Sequence, residues 1–280
     1  GVRFVFPILI VYFSTSMGFI DSFELAIKNP QEYEKIIQSS HHVIMSFGGM
    51  FLLMLFLKFI FDENKDTHWV KYIESFATKL SKVGDIKALF IMFLMLVITY
   101  VAPNEVVMGE QLVTVNKLEI LVPMIIGVIA FYLLELLKGV IELKTDSNSD
   151  LKVTELSGGF ISFMYLEVID MSFSLDGVLG AFAITQNVVI IMLGLGIGAM
   201  AVRSLTIFMV EREVVSKYIY LEHGAMWSIG LLSLSMLVQI FHHLPPMLVT
   251  TFAIVPITLA FIHSIYKNKE FILDSKENEQ

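Results

Sequence analysis

The sequence predicts an all-α membrane protein, a polytopic bundle of about eight transmembrane helices arranged as an inverted repeat. Of the 280 residues, 56% are hydrophobic and 16% are charged, with a mean hydropathy of +0.74, whereas soluble domains carry about 25% charged residues. Apolar segments of membrane-spanning length recur along the whole chain without sustained β-type alternation. Because lipid offers the backbone no hydrogen-bond partners, such spans are expected to be helices.

The predicted spans follow one another with short loops. They lie at about 1–16, 42–61, 88–102, 118–140, 159–185, 187–210, 224–241 and 246–266. A bilayer core needs about 20 apolar residues, so the first span is too short. We therefore expect the sequence to begin inside a helix, with a further segment of the protein upstream of it.

Lysine and arginine residues predict how the chain is oriented. The loop 62–87 contains five lysines, and the regions after the fourth and sixth spans and the C-terminal tail are also basic. The intervening loops contain few basic residues, so the bias alternates with each crossing. By the positive-inside rule, the basic loops and the C-terminus are expected to be cytoplasmic. The net charge of −8 is interpreted by location and does not indicate a soluble acidic protein.

Two loops have a pattern of their own. In 68–82, a set of apolar side chains shares one helical face, which predicts an amphipathic helix. This helix lies either on the cytoplasmic membrane surface or against the other helices. The outer loop 17–40 is mildly acidic, with Asp21 and Glu24 among its residues. We expect a solvated loop there, with attraction of cations as the alternative.

The fifth predicted span, 159–185, is called the acidic span because it contains Glu167, Asp170 and Asp176. A carboxylate at the centre of a membrane helix costs roughly 2.5–3.5 kcal/mol on insertion scales. Three of them within ten residues therefore indicate a function inside the bundle, namely an ion or proton pathway. The structural alternative is that the acids are protonated or paired with Arg203 in the sixth span.

The acidic span has polar residues on two sides. At about 100° per residue, Glu167, Asp170 and Ser174 fall within roughly 60° of one another. Ser172 and Asp176 point to nearly the opposite side. The span is therefore either a continuous helix at the centre of the bundle or a helix broken at 174–177, where Ser174 and Gly177 would allow Asp176 to turn toward the other acids.

These acidic and hydroxyl side chains form an oxygen-rich ligand set. The sequence contains no cysteine, which excludes disulfides, thiolate nucleophiles and iron–sulfur or thiolate zinc sites. Oxygen ligands suit hard divalent cations such as Mn²⁺, Mg²⁺ and Ca²⁺. The same carboxylates could relay protons, and the spacing of the residues does not separate the two uses.

Two further motifs flank the acidic span. In the sixth span, Gly194 and Gly198 form a small-xxx-small face that predicts close packing of a neighbouring helix, the acidic span first of all. Glu222 and His223 open the seventh span, where they could gate the cytoplasmic side. The alternative, which we favour from the sequence, is a histidine at the membrane surface that merely meets water.

A faint internal repeat connects the two halves. Gly1–Arg3 resembles Ala201–Arg203, and His42–Gly49 resembles His223–Gly230 with equal spacing of His, Met and Gly. The matched helices are predicted to run in opposite directions, as in an inverted repeat with its substrate site between the halves. The resulting division is a first repeat at 1–140, a cytoplasmic linker at 141–157, a second repeat at 158–268 and a cytoplasmic tail at 269–280.

The motif Tyr165–Thr185 resembles the signature helix of the TerC superfamily, and Tyr220–Gly230 and His42–Phe51 resemble a bacterial branch that carries an uncharacterised-domain label. The resemblance implies a multi-pass inner-membrane protein of about nine helices, built from inverted repeats. The superfamily is named for tellurite resistance, and its members have been tied to Mn²⁺ export and to metallation of secreted proteins.

The resemblance also implies roles for residues. Asp176, Asp170 and Glu167 would form half of the cation site, whose other half would come from an acidic helix upstream of this sequence. Residues that would support the site are Ser172, Ser174, Gly177, Arg203, Arg3, Glu222 and His223.

Two functions of different classes follow. The first is a transporter that exports a divalent cation, Mn²⁺ first of all, with carboxylates as ligands and proton coupling as an option. The second is a membrane scaffold for envelope-stress or secretion partners, in which the buried acids are only paired. An enzyme is not expected, since no catalytic pair or His-rich motif is visible. Expected partners are the lipid bilayer and a divalent cation, with no permanently bound cofactor and no nucleic acid; homo-oligomers and envelope proteins stay open.

Overall fold

The computed structural model describes most of the helical regions and leaves out the acidic span. The residues it describes are 18–29, 31–32, 35–36, 40–62, 69–81, 86–102, 105–108, 111–114, 116–147, 188–211, 218–242 and 244–277. They form eight α-helices and one two-stranded sheet. In chain order these are α1 (Phe19–Lys28), α2 (His41–Ile60), α3 (Lys71–Ser81), α4 (Ile86–Val101), β1 (Glu105–Met108), β2 (Gln111–Thr114), α5 (Lys117–Ser147), α6 (Val188–Glu211), α7 (Leu221–Gln239) and α8 (Pro246–Glu277).

The predicted helical fold class is confirmed. Among the described residues, three helical segments are long and apolar enough to cross a membrane, namely His41–Ile60, Leu221–Gln239 and Met247–Lys267. Six of the predicted spans coincide with α2 and α4–α8, each beginning within a few residues of the expected position. The predicted spans 1–16 and 159–185 lie outside the described residues.

Two helices continue past the predicted ends of their spans. Helix α5 reaches Ser147 and α8 reaches Glu277, although the apolar runs end near 140 and 266. Hydropathy marks where a chain leaves lipid, whereas the helix persists because the following segments are rich in Leu, Glu and Lys, which favour helix. The predicted linker at 141–157 therefore begins as helix, and the predicted tail is largely helical. The division into repeats stays a prediction.

One short β-hairpin stands among the described helices. Strands β1 and β2 pair antiparallel, with Val106 opposite Val113 and Val107 opposite Leu112. Both segments are short and rich in Val, a β-branched residue that favours strands. Gly109 stands between them in the sequence, at a position where two-residue hairpin loops favour glycine. A four-residue strand is too short to register in a search for sustained alternation.

The outer loop 17–40, expected to be a solvated loop, contains helix α1. Asp21 and Glu24 are exposed on it, as expected for a surface segment. Lys28 forms an ion pair with Glu24 one turn earlier, a spacing that supports an exposed helix. The acidic character of this segment is therefore partly neutralised within the helix.

Helices α2 and α7 cross at the centre of the described core. A Cβ added at Gly49 would lie 3.0 Å from the Leu237 side chain, and one added at Gly230 would lie 2.6 Å from the Phe56 ring. As residue numbers on α2 increase, those of the facing residues on α7 decrease. The two helices therefore run antiparallel. The glycines allow this approach because they carry no side chain at the crossing.

The crossing is reciprocal in sequence. Three pairs of positions are related by the same separation along the chain: His42 and His223, Gly49 and Gly230, and Phe56 and Leu237. The glycine of α2 faces the α7 member of the last pair, and the glycine of α7 faces the α2 member. A two-fold axis between two antiparallel helices produces this exchange of roles.

Each central helix has a second neighbour. Helix α5 packs on α2 so closely that a Cβ at Gly127 would lie 2.6 Å from the Phe47 carbonyl oxygen. Helix α8 packs on α7, where the Ser228 hydroxyl donates to the Ala253 carbonyl at 2.7 Å. Large apolar side chains on the outer faces of α4 and α8 remain exposed. Such faces are what a lipid-exposed bundle presents to hydrocarbon.

Candidate functional site

The predicted cation ligands lie outside the described residues. This holds for Glu167, Asp170 and Asp176, for their predicted neighbours Ser172, Ser174 and Gly177, and for Arg3. Arg203 is exposed on α6, and its predicted pairing with those acids stays a prediction. Within the described ranges, no group of three or more His, Cys, Asp or Glu is placed to hold a metal ion.

The predicted packing face of α6 is also without a described neighbour. No described atom lies within 4 Å of a Cβ built at Gly194 or Gly198. The neighbour predicted from the sequence is the acidic span, which the structure does not describe. Close packing of these two glycines therefore stays a prediction.

The described residues converge instead at the predicted cytoplasmic end of the bundle, where α3 meets α7. Helix α3 lies within the amphipathic segment predicted at 68–82. It agrees in part with each of the two expected arrangements, packing on the other helices and lying on the membrane surface. Glu74 and Ala77 are buried against the bundle, at 0% and 4% exposure, whereas Tyr72, Ile73 and Phe76 are exposed. One side of α3 thus packs on the other helices, and the other side presents apolar groups outward.

Three groups among the described residues contact the Glu74 carboxylate. Its Oε2 lies 3.7 Å from His223 Nε2, within ion-pair distance. Its Oε1 accepts a hydrogen bond from Trp227 Nε1 at 3.2 Å and one from the Val70 backbone N–H at 3.3 Å. The Val70 amide stands before the first turn of α3, where backbone donors have no partner within the helix. The Glu74 carboxylate therefore accepts a hydrogen bond from a backbone amide at the start of α3 and also connects α3 to α7.

Aromatic rings surround this carboxylate–imidazole pair, which we call the inner pair. The His223 ring meets Phe59 and Tyr220 edge-on, with ring centroids 5.2 Å and 6.1 Å away. Trp227 packs edge-on against Phe56 at 5.3 Å. Rings exclude water, so electrostatic interactions between Glu74 and its partners are stronger here than at the surface.

A second connection joins the same end of the bundle to α8. Trp69 Nε1, just before α3, donates to His263 Nδ1 at 3.1 Å. His263 stacks on Tyr220 with centroids 4.8 Å apart, and Lys267 Nζ donates to the Tyr220 hydroxyl at 2.7 Å. The segment 69–81 is therefore fastened to both α7 and α8.

An equivalent pair, which we call the outer pair, lies at the opposite end of α2. His42 Nε2 lies 3.2 Å from Glu119 Oε2. His42 and His223 occupy the first turns of the two antiparallel central helices, and each is 4% exposed. The glutamates differ, because the Glu119 side chain is 52% exposed whereas that of Glu74 is fully buried.

The burial of His223 corrects one expectation from the sequence. We expected this histidine to meet water at the membrane surface, and the structure instead buries it beside Glu74; Glu222, its neighbour, is exposed. Sequence reasoning missed Glu74 altogether. The available signal was weak: Glu74 lies three residues before Ala77 on the buried side of α3, whereas the more hydrophobic Ile73 and Phe76 lie on the exposed side.

Comparison with known proteins agrees with a membrane location. A curated relative from Bacillus subtilis (strain 168), called "Uncharacterized membrane protein YceF", is 31% identical over 111 residues, which cover 38% of this chain and 41% of the relative. The match thus spans less than half of that relative's length. No solved structure matches the chain.

One protein-family model covers nearly the whole chain. It is described as "Protein of unknown function (DUF475)" and matches residues 1–271. The match includes the central helices, the inner and outer pairs and the acidic span. This chain is therefore a member of the DUF475 family.

Proposed function

We propose that the protein is a TerC-like transporter of the bacterial inner membrane that exports a divalent cation, Mn²⁺, through a carboxylate site near the middle of the bilayer. The observation that carries this proposal is the reciprocal crossing of α2 and α7. Exchange of equivalent residues across two antiparallel helices is the relation expected in an inverted repeat. Transporters built from inverted repeats bind their substrates between the repeats, near the midplane.

The chemistry of the proposed site comes from the acidic span. Glu167, Asp170 and Asp176 supply hard oxygen ligands, which suit Mn²⁺ and similar cations. Each carboxylate in the hydrocarbon core is costly, and a bound dication offsets that cost by neutralising two negative charges. Arg203 would take the place of the cation when the site is empty.

Proton coupling fits the same ligands. A carboxylate released by the metal is left in a low-dielectric environment, where binding a proton removes its charge. Exchange of cation for proton would keep the span near neutrality in both states. In this proposal the basic loops and the C-terminus are cytoplasmic, and export carries the cation away from them.

The test is Mn²⁺ flux into or out of proteoliposomes that contain the full-length protein. Asp176→Asn should abolish flux while leaving the protein folded, because the amide keeps the size of the side chain and removes its charge. Asp21→Asn, an exposed aspartate on α1, is the matched control and should transport like the wild type.

The opposite outcome would favour the scaffold. If the wild type moves neither Mn²⁺ nor Mg²⁺ or Ca²⁺ above empty liposomes, the transport proposal is wrong. In that case Asp176→Asn should lower stability, with no dependence on cations, because it breaks an acid–arginine pair.

A further inference from the structure

We infer that the end of α8 binds the phosphate group of an anionic membrane lipid, held by Lys267, His263 and Tyr220. These three side chains contact one another, and we call them the Tyr220 cluster. The inference rests on contacts among described residues and does not require that the protein transport a cation. It assigns a ligand to side chains that otherwise only join α8 to the start of α7.

The first step concerns the arrangement of the Tyr220 cluster. His263 and Lys267 are both exposed on α8, and residues four apart share one face of a helix. The His263 ring stacks on the Tyr220 ring, with centroids 4.8 Å apart and planes inclined by 20°. Lys267 Nζ donates to the Tyr220 hydroxyl at 2.7 Å. One tyrosine therefore contacts both the imidazole and the ammonium group and fixes them side by side.

The second step concerns hydrogen-bond donors. Trp69 Nε1 donates to His263 Nδ1 at 3.1 Å. Because an indole N–H only donates, Nδ1 is the acceptor, and the neutral ring carries its hydrogen on Nε2. The Lys267 ammonium has three hydrogens, and the Tyr220 hydroxyl accepts one of them. No described residue accepts from His263 Nε2 or from the other ammonium hydrogens, so these donors are available to a ligand.

The third step concerns charge. Among the described residues, no carboxylate lies within ion-pair distance of Lys267 Nζ. Glu222, two residues after Tyr220, is exposed and forms no ion pair with any described side chain. The charge of Lys267 is therefore left without a described counter-charge. A phosphate supplies both a negative charge and several acceptor oxygens, and lysine is a common phosphate-binding residue in proteins.

The fourth step identifies this phosphate as part of a lipid. Lys267 is the last residue of the membrane-spanning segment Met247–Lys267, so the cluster lies where α8 leaves the apolar core and headgroups begin. Ile262 and Tyr266, the adjacent row of α8, are 44% and 67% exposed and offer an apolar surface to an acyl chain. Basic and aromatic side chains at the ends of membrane helices are usual partners of lipid headgroups.

Trp69 makes the site measurable, because it bonds directly to His263. Full-length protein is reconstituted into a fixed mixture of phosphatidylcholine and phosphatidylglycerol, in which one lipid or the other is brominated. Bromine atoms quench tryptophan fluorescence on contact. For each protein, subtracting the emission of its Trp69→Phe counterpart isolates the signal of Trp69. The quenching by the two brominated lipids gives the association constant of phosphatidylglycerol relative to phosphatidylcholine at this position.

The wild type should prefer phosphatidylglycerol beside Trp69. Lys267→Gln should lower this preference about fivefold, the usual effect of one basic residue on attraction to anionic lipid. Lys267→Arg should preserve it, because the positive charge is kept. His263→Phe should lower it about threefold, since the ring can still stack on Tyr220 but has lost one hydrogen-bond donor.

Lys79→Gln is the matched control, because Lys79 is exposed on α3 outside the cluster, and it should leave the preference unchanged. Equal quenching by the two lipids in the wild type would overturn the inference. Equal losses in Lys267→Gln and Lys79→Gln would also overturn it, since they would indicate general attraction to a basic surface.

Inorganic phosphate separates the two possible sources of the ligand. Added at constant ionic strength, it should leave the preference for phosphatidylglycerol intact, because a lipid also binds through its acyl chains. If it abolishes the preference, the cluster binds soluble phosphate and the assignment to a lipid is wrong. Size-exclusion elution identifies any variant that fails to fold, and Lys267→Gln and His263→Phe test the site independently of each other.

Discussion

At the scale of single residues, burial determines how strongly a polar side chain interacts with its partners. Glu74 and Glu119 each pair with a histidine. The Glu74 side chain is fully buried, whereas the Glu119 side chain is about half exposed to solvent. A hydrogen bond to a buried ionised group contributes more than one at the surface, because water cannot replace it. Trp69, just before α3, and Trp227 on α7 allow this difference to be measured.

Trp227→Phe should destabilise the protein more than Trp69→Phe. The first change removes the N–H donor to buried Glu74 while keeping a ring against Phe56, and hydrogen bonds to charged groups contribute about 1.5–3 kcal/mol. The second removes an exposed bond to His263, with an expected cost of about 1 kcal/mol or less. Unfolding midpoints in a denaturing-detergent titration compare the two. Equal midpoints would mean that the Trp227–Glu74 bond adds nothing beyond packing.

At the scale of elements, glycines set the distance between α2 and α7. A Cβ at Gly230 would lie 2.6–2.7 Å from three atoms of the Phe56 ring, whereas one at Gly49 would lie 3.0 Å from Leu237 and 3.2 Å from Met236 Cβ. Because the approach is closer at Gly230 and the ring is rigid, the two equivalent glycines should differ in tolerance.

Gly230→Ala is expected to cost about 1–3 kcal/mol through overpacking, and Gly49→Ala less. Phe56→Ala creates a cavity when introduced alone, but it should relieve the strain of Gly230→Ala in the double variant. A double-mutant cycle of thermal unfolding in detergent measures this coupling. If the changes in unfolding free energy of Gly230→Ala and Phe56→Ala simply add in the double variant, the methyl group introduced by Gly230→Ala does not contact the Phe56 ring.

At the scale of the whole molecule, the distribution of basic residues predicts how the helices are oriented in the membrane. Loop 62–87 and the C-terminal region are basic, whereas the hairpin β1–β2 lies in a segment with few basic residues. This predicted orientation would place the inner pair at the cytoplasmic end and the outer pair at the other end.

Reporter fusions test this orientation. Green fluorescent protein joined after residue 277 should fluoresce, and alkaline phosphatase at the same point should stay inactive, because the phosphatase folds only outside the cytoplasm. Insertion of the phosphatase at 109–110, between the strands, should give an active enzyme. The reverse pattern would invert the topology and exchange the inner and outer ends.

Prediction from sequence succeeded where one physical variable dominates. The spans were found because about 20 apolar residues cross a bilayer core, and α2, α4 and α7 begin close to the expected positions. It was less successful for α1, for the ends of α5 and α8 and for the hairpin, since these are decided by local helix and strand preferences outside lipid. The acidic span and its carboxylates remain a prediction from sequence.

The sequence by itself determined the membrane class, the helical architecture and the equivalence of His42 with His223. These follow from composition and periodicity, which act residue by residue along the chain. Only the tertiary structure decided that His223 is buried and that its partner is Glu74, far away in sequence on α3. Pairing depends on which faces of separate helices meet, and that is set by packing at contacts such as those of Gly49 and Gly230.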